Sequence, residues 1–220
     1  LLEVLAAGVN NTEINTSLGW YSSDVTESTG GSLIVQDDDA EQKPDGGWNE
    51  TTPFPFIQGT DCCGRVVTAG PGVEAAITGK RVLVRACMRP QGYGTMENIW
   101  MASDFDGAFA QYVRVPASEV FTVDCDWSDA ELATIPCAYA TSENMLQRTG
   151  CKAGDHVLVT GASGGVGSAT VQLAKRRDAS VTALCSASKA DQVSTLGADQ
   201  VLARNDDVVA YLGENSVDLV

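Results

Sequence analysis

Residues 159–167 read Val159-Thr160-Gly161-Ala162-Ser163-Gly164-Gly165-Val166-Gly167. The apolar run from His156 to Thr160 predicts a β-strand that enters this turn, and the residues from Val166 to Arg177 predict an amphipathic helix that leaves it. A glycine-rich turn in this context lets the backbone approach a pyrophosphate closely and directs free N–H groups towards it. Residues 160–167 are therefore predicted to bind a dinucleotide, and a glycine-rich turn without a ligand is the alternative.

The alternation of strand and helix patterns continues on both sides of this turn. Before it, Ser128 is suited to be the N-cap of a helix that starts at Asp129, and a second helical pattern ends near Gly150. Strands that alternate with helices are typical of a parallel sheet with crossover helices. The sequence therefore predicts the first half of a Rossmann domain, a doubly wound parallel sheet, over residues 128–220. Its predicted strands are 156–160, 181–184, 200–202 and 217–220, and its predicted helices include 166–177 and 189–196.

The part of the chain before residue 128 has a different pattern. Short β-like runs at 1–9, 65–68, 81–84 and 108–113 are separated by turn signals, and such runs predict a small barrel-like β-domain over residues 1–127. Residues from about 23 to 52 are rich in Ser, Thr, Gly, Asp and Glu. This composition predicts a mobile insertion in the β-domain.

Composition excludes several classes of partner. The chain has 14 basic and 29 acidic side chains and a formal net charge of −15, which argues against a nucleic-acid partner. An anionic cofactor remains compatible, because backbone N–H groups and one or two local cations suffice to bind it. The seven cysteines form no C-x-x-C pair, which is typical of reduced thiols in a cytoplasmic protein. No apolar run approaches the roughly 20 residues needed to span a bilayer, so no membrane partner is predicted.

The end of the second predicted strand indicates which dinucleotide is bound. An acidic residue there would bind the ribose 2′-hydroxyl of NAD. The sequence has Cys185 and Ser186 instead, and Lys189 follows shortly after. Ser186 and Lys189 offer a hydroxyl and a cation for a 2′-phosphate, so NADPH is the predicted cofactor. The alternative is that Ser186 serves only as the N-cap of the next helix.

Several segments of the chain have a recognisable pattern when they are taken together. They are Ala7-Gly8-Val9-Asn10, Pro55-Phe56-Ile57, Gly59-Thr60-Asp61, Gly107-Ala108-Phe109-Ala110-Gln111-Tyr112, the turn at 159–167 and Gly197-Ala198-Asp199. Together they resemble the medium-chain dehydrogenase/reductase superfamily. The resemblance implies a GroES-like catalytic domain followed by a Rossmann domain, with the active site between them. It also implies a longer protein, so the chain is expected to be a fragment truncated at both ends, and the full-length form is expected to be a homodimer.

The resemblance also bears on whether a metal is bound. Zinc-dependent members place a cysteine where Asn10 stands and a histidine where Thr60 stands, and their third ligand aligns with Cys137. Asparagine and threonine are poor zinc ligands. Such enzymes bind a structural zinc with four closely spaced cysteines, whereas this chain has only Cys87 between residues 81 and 113. The prediction is that no metal is bound, that Cys137 is a small buried hydrophobic residue, and that the chain resembles the quinone-oxidoreductase-like branch.

That branch implies a hydride transfer from NADPH to a quinone or an α,β-unsaturated carbonyl compound. Three candidate catalytic residues follow from the resemblance. Asn10 would donate a hydrogen bond near the nicotinamide, Tyr21 would donate a proton or line the substrate pocket, and Thr141 would lie at the start of the helix that faces the nicotinamide ribose. Each has a structural alternative: Asn10 as a turn residue, Tyr21 as a packing residue, and Thr141 as a hydroxyl at a helix start.

Two other functions remain open at this stage. One is a zinc alcohol dehydrogenase with atypical ligands, which metal analysis of the purified protein would identify. The other is a nucleotide-binding protein without catalytic turnover. A small-molecule carbonyl or quinone substrate is the partner expected of the leading hypothesis.

Overall fold

The computed structural model describes residues 1–17, 55–89, 92 and 98–220. Tyr21 and the predicted insertion at 23–52 lie outside these residues. The chain divides into two compact units, Leu1–Pro136 and Cys137–Val220. The domain boundary predicted from the sequence falls after residue 127 instead. The difference is the helix at Asp129–Ala133, whose buried side chains pack with Cys63 in the first unit.

The first unit is the β-domain that the sequence predicts. Its strands are β1 (Leu2–Ala6), β2 (Cys63–Val66), β3 (Arg81–Val84), β4 (Cys87–Met88), β5 (Ile99–Trp100), β6 (Tyr112–Val113) and β7 (Val120–Thr122), and its helices are α1 (Asn11–Ser17) and α2 (Asp129–Ala133). Within the described residues, one antiparallel sheet has the order β6-β1-β2-β3-β7, and β4 pairs with β5. Alternation along β3 buries Val82 and Val84, which pack with Leu2, Met88 and Val113 in one core.

The second unit contains a parallel sheet, which confirms the predicted partial Rossmann fold. The strands are β8 (His156–Val159), β9 (Ser180–Cys185) and β10 (Gln200–Ala203), in the order β10-β9-β8. The helices are α3 (Pro136–Thr149), α4 (Gly165–Lys175), α5 (Ala190–Thr195) and α6 (Val208–Leu212). The core contains apolar side chains from these strands and from α4, among them Val157, Val159, Val171, Val181 and Ala183, together with Leu146 of α3 and Val193 of α5.

The strand predicted at 217–220 is wrong in extent. Only Leu219 pairs there, through an isolated parallel bridge to Val157, and the N–H of Leu158 donates to its carbonyl at 2.8 Å. The ladder stops because the side chain of Asp218 accepts the N–H of His156 at 2.7 Å, which removes a donor from the backbone pairing. Since Val157 pairs with β9 on its other side, Leu219 extends the sheet beyond β8. The strand order therefore reverses at β8, and α/β folds bind ligands at such a reversal.

The single histidine of the chain stabilises this edge of the sheet. Its Nδ1 lies 2.9 Å from the carbonyl oxygen of Ser216, and its Nε2 lies 2.9 Å from Oγ1 of the buried Thr182. A carbonyl oxygen only accepts, so Nδ1 donates to Ser216. Both nitrogens of His156 are therefore engaged in structural hydrogen bonds.

Candidate functional site

The glycine-rich turn begins where β8 ends and is held by backbone hydrogen bonds. The N–H of Ala162 donates to the carbonyl of Leu184 in β9 at 3.0 Å, and the N–H of Gly164 donates to the carbonyl of Gly161 at 2.9 Å. Ala162 is fully buried, whereas Gly164 and Gly165 are exposed. The turn is therefore anchored on its inner side and open on its outer side.

Gly167 in the first turn of α4 has no room for a side chain. A Cβ at this position would lie 2.8 Å from Cα of Ala162 and would overlap the carbonyl of Gly161. The N-cap residue, Gly164, has no side chain that could accept from the helix. The first N–H groups of a helix have no acceptor within the helix, so the start of α4 offers uncapped donors and the positive end of the helix dipole. This arrangement fits the pyrophosphate of a dinucleotide.

Two buried hydroxyls of the second unit, those of Ser142 and Thr170, support this turn, and neither was predicted as a site residue. Oγ of Ser142 in α3 lies 2.8 Å from the carbonyl oxygen of Val166, and Oγ1 of Thr170 in α4 lies 2.8 Å from the same oxygen. The two hydroxyls are 3.0 Å apart and buried. They connect α3 with the first turn of α4. Helical serine and threonine usually bond only to their own helix, so no local sequence signal marks this contact.

The end of β9 carries no carboxylate in the position expected of an NAD-binding site. The strand ends at the buried Cys185, and Ser186 and the exposed Lys189 follow on a short 3-10 turn, Ala187–Lys189. Ser186 occupies the N-cap position of that turn, but its side chain caps nothing and lies 3.4 Å from Oγ of Ser188. Lys189 forms no ion pair with any other described residue. The capping alternative for Ser186 thus lacks the side-chain hydrogen bond that it requires.

Thr141 does not lie at the start of a helix, the position predicted from the sequence. Helix α3 begins at Pro136, so Thr141 belongs to its second turn rather than to its start. The side chain is exposed, and its hydroxyl donates to the carbonyl of Cys137 at 2.7 Å. Cys137 is half-buried rather than buried. The helix starts earlier than predicted because proline is favoured in the first turn of a helix, where its missing N–H costs nothing.

The first unit contains a buried polar cluster of Asn10, Glu13, Thr60 and Asp61. Oε1 of Glu13 accepts from the backbone N–H of Thr60 at 2.9 Å and from its hydroxyl at 2.7 Å. Oε2 of Glu13 accepts from the backbone N–H of Asn10 at 2.7 Å. Glu13, Thr60 and Asp61 are 5%, 3% and 1% exposed, so this cluster is shielded from water. Buried carboxylates of this kind are stabilised by several charge-assisted hydrogen bonds.

The side chain of Asn10 bonds to a distant carboxylate and not to the local backbone. Asn10 directly precedes α1, and Glu13 accepts its backbone N–H as the third residue of a capping box does. An N-cap side chain would accept from the helix. Instead, Nδ2 of Asn10 donates to Oδ2 of Asp61 at 2.8 Å. The structural alternative for Asn10, a role confined to the local turn, does not account for this bond.

The cluster also bears on the chemistry of its neighbours. Burial, together with the nearby Cys63 and Asp61, raises the pKa of the Cys62 thiol to about 12. Cys62 is therefore a protonated thiol at neutral pH.

In the described parts of the chain, no three His, Cys, Asp or Glu side chains are grouped so that they could hold a metal ion. The absence of a bound metal stays a prediction.

Glu13 and Asp61 were not predicted as site residues, although one signal in the sequence pointed to the first. Glu13 stands three residues after Asn10, the spacing of a capping box. Nothing local indicates that its carboxylate also binds Thr60, which lies 47 residues further along the chain.

No described helix is both long and apolar enough to cross a membrane.

Comparison with known proteins adds the family context. Residues 1–124 match the family model of the alcohol dehydrogenase GroES-like domain. A chloroplastic quinone-oxidoreductase homologue from Spinacia oleracea is 35% identical over 155 residues, which cover 68% of this chain and 43% of the relative. The 2-methylene-furan-3-one reductase from Solanum lycopersicum is 32% identical over 171 residues, 76% of this chain and 40% of that protein.

Solved structures resemble the chain over nearly its whole length. A Sinorhizobium meliloti protein assigned as an alcohol dehydrogenase superposes with a TM-score of 0.79 at 36% identity. The match covers 96% of this chain and 55% of that protein. The chain therefore spans about half the length of the proteins it matches.

Proposed function

This chain belongs to the alcohol dehydrogenase GroES-like family, on the quinone-oxidoreductase-like branch of the medium-chain dehydrogenase/reductases, and from that membership we propose that it takes part in reducing a quinone or an α,β-unsaturated carbonyl compound with NADPH. The observation that carries the proposal is the uncapped start of α4, where Gly167 packs against Gly161 without room for a side chain. This cradle fits a pyrophosphate. The spinach and tomato relatives support the substrate class, since their names describe a quinone oxidoreductase and an enone reductase.

The choice of NADPH rests on the end of β9. The buried Cys185 stands at the place where an acidic residue would bind a ribose 2′-hydroxyl. Lys189 is exposed, and Ser186 has a hydroxyl that caps no backbone group. A cation and a hydroxyl are suited to a 2′-phosphate, which carries negative charge and several acceptor oxygens. An acidic residue there would repel that phosphate.

The chemistry requires few groups from the protein. NADPH bound at the glycine-rich turn would supply a hydride, and one proton, drawn from the solvent through Tyr21, would complete the reduction, so that the substrate would gain two hydrogens. Negative charge develops on the substrate oxygen and needs a hydrogen-bond donor. We assign this role to the carboxamide of Asn10. Tyr21, as a proton donor, and Thr141, as a neighbour of the cofactor ribose, complete the proposed set.

The activity is tested with the purified protein, a quinone and an enone. NADPH oxidation should be followed at its absorbance maximum, with and without a chelator and with zinc analysis of the same sample. The proposal expects oxidation that depends on the substrate and is insensitive to the chelator. Activity lost on chelation, with one zinc per chain, would identify a zinc alcohol dehydrogenase. Binding of NADPH without turnover across a broad carbonyl panel would identify a non-catalytic nucleotide-binding protein.

Replacing Lys189 by alanine tests the cofactor assignment. We expect Lys189→Ala to weaken NADPH binding by about 10- to 100-fold, because a charge-assisted hydrogen bond to the 2′-phosphate is lost. NADH binding should change little, since NADH lacks that phosphate. Lys152→Ala is the matched control, because Lys152 is also an exposed lysine of the second unit but lies just before the start of β8. Isothermal titration calorimetry with both nucleotides measures the two affinities. An equal loss of affinity for NADH and NADPH would contradict NADP specificity.

A further inference from the structure

We propose that Asp61 is a positioning residue that orients the carboxamide of Asn10, so that an N–H of Asn10 faces the substrate oxygen. The inference rests on the proposed function for its catalytic meaning, and on the geometry of the first unit for the orientation itself. The key contact joins Nδ2 of Asn10 to Oδ2 of Asp61 at 2.8 Å. A carboxylate only accepts hydrogen bonds, so it selects the amide nitrogen of Asn10 and rejects the amide oxygen.

Asp61 is itself held in place. Its side chain is only 1% exposed, and the backbone of Gly8 lies directly against it. A Cβ on Gly8 would lie 2.9 Å from both Cβ and Oδ2 of Asp61 and 2.6 Å from the carbonyl oxygen of Ala133. Glycine is therefore required at position 8 for the strand end to approach this closely. Packing on this side prevents the carboxylate from turning away from Asn10.

Glu13 fixes the spacing between the two partners. Its Oε2 binds the backbone N–H of Asn10, and its Oε1 binds Thr60, the residue next to Asp61. The backbones on both sides of the Asn10–Asp61 bond are thus anchored to one buried carboxylate. An exchange at position 61 leaves these two anchors in place, so the backbones that carry Asn10 and Thr60 should keep their positions.

The Asn10 carboxamide retains a donor for a ligand. An asparagine side chain carries two N–H donors, and one of them is taken by Asp61. Asn10 is half-buried, in contrast to the buried Asp61 and Glu13, so its side chain is the accessible member of the cluster. A donor held in one orientation before the substrate binds does not have to reorganise when charge develops on the substrate oxygen. Asp61 contributes this preorganisation without touching the substrate.

The decisive experiment compares Asp61→Asn with the exchanged pair, Asn10→Asp combined with Asp61→Asn. The single change removes the carboxylate that selects the amide nitrogen, so kcat should fall by about 10-fold or more, up to the roughly 100- to 1,000-fold loss seen when one oxyanion donor is removed. The exchanged pair restores a hydrogen bond, now donated by the new amide at position 61, but leaves only acceptors at position 10. Its melting temperature should return towards the wild-type value while kcat stays low. Asp106→Asn is the control, because that carboxylate holds the backbone N–H of Ile57 in the same unit.

A purely structural role for Asp61 predicts a different outcome. In that case kcat would follow the melting temperature, and the exchanged pair would recover both, which overturns the proposal. NMR supplies a readout that needs no activity. In the wild type, one Nδ2 proton of Asn10 should be shifted and protected from exchange, and the signal is assigned by its loss in Asn10→Asp. Absence of such a protected proton in the wild type would also overturn the inference, whereas a protected proton in a protein that reduces no quinone or enone would refute only the proposed function.

Discussion

Gly167→Ala is expected to lower the affinity for NADPH by about 100-fold or more, because the added methyl group cannot be accommodated without opening the phosphate-binding turn. The Cβ would lie 2.8 Å from Cα of Ala162 and would overlap the carbonyl of Gly161. Both neighbours are backbone atoms, which cannot rotate away as a flexible side chain does. Ala162 is also fully buried, and its N–H is bonded to the carbonyl of Leu184. The turn must therefore move outward and carry the first N–H groups of α4 with it.

The same exchange should lower the free energy of unfolding by about 1–3 kcal/mol, the usual cost of overpacking. Gly165→Ala is the matched control in the same turn. A Cβ on Gly165 would meet only Cβ of Ala138, at an ordinary contact distance of 3.7 Å, and alanine is favoured over glycine in a helix. Urea unfolding should therefore show a loss for Gly167→Ala and none for Gly165→Ala. Wild-type affinity for NADPH in Gly167→Ala, measured by titration, would refute the assignment of this turn.

Glu13→Gln is expected to lower the free energy of unfolding by about 1–3 kcal/mol or more, since at least one buried donor loses its acceptor and each such loss costs about 1–3 kcal/mol. The carboxylate accepts from the N–H of Asn10 and from the N–H and hydroxyl of Thr60. A glutamine has one accepting oxygen, and its NH2 group would face one of these donors. Only a carboxylate at position 13 can accept hydrogen bonds from both Asn10 and Thr60.

Glu131→Gln is the control for this prediction. Glu131 is also the third residue of a helix, and it accepts from the N–H and hydroxyl of Ser128 in a capping box. Its side chain is exposed, so water replaces any bond that the amide cannot form, and the loss should be much smaller. Urea midpoints of the two variants, with unchanged slopes, give the comparison. Equal losses would show that the Glu13 cluster contributes no more than an ordinary helix cap.

The elements of the second unit were largely predictable because their signals are local. The alternation of apolar strands with amphipathic helices predicted β8, β9, β10 and α4 to within two residues at each end. The chain after residue 216 was not predictable in this way. Its apolar residues suit a strand, but the carboxylate of Asp218 takes the N–H of His156 and reduces the pairing to a single bridge. A side chain that competes with the backbone for a donor leaves no trace in hydrophobic periodicity.

The site was predicted only in part, for the same reason. Asn10 was proposed through the resemblance; the family match confirms the family, and the catalytic role of Asn10 stays a prediction. Its partner Asp61 stands 51 residues away in the chain, and the intervening segment carries no signal of the pairing. Thr141 was placed at the start of a helix that in fact begins at Pro136. Its proposed role at the cofactor ribose stays a prediction, as does the role of Tyr21.

Sequence alone determined the class of fold and the glycine-rich turn between β8 and α4, because strand and helix periods and the glycines at 161–167 act over a few neighbouring residues. It also determined that the end of β9 lacks an acid, which is a matter of residue identity. Tertiary structure decided which polar side chains meet. Folding brings Asn10 and Glu13 against Thr60 and Asp61, and it brings Ser142 against Thr170 beneath the phosphate turn. Because these groups are buried, the fold needs these hydrogen bonds: a polar group removed from water must find its partner within the protein.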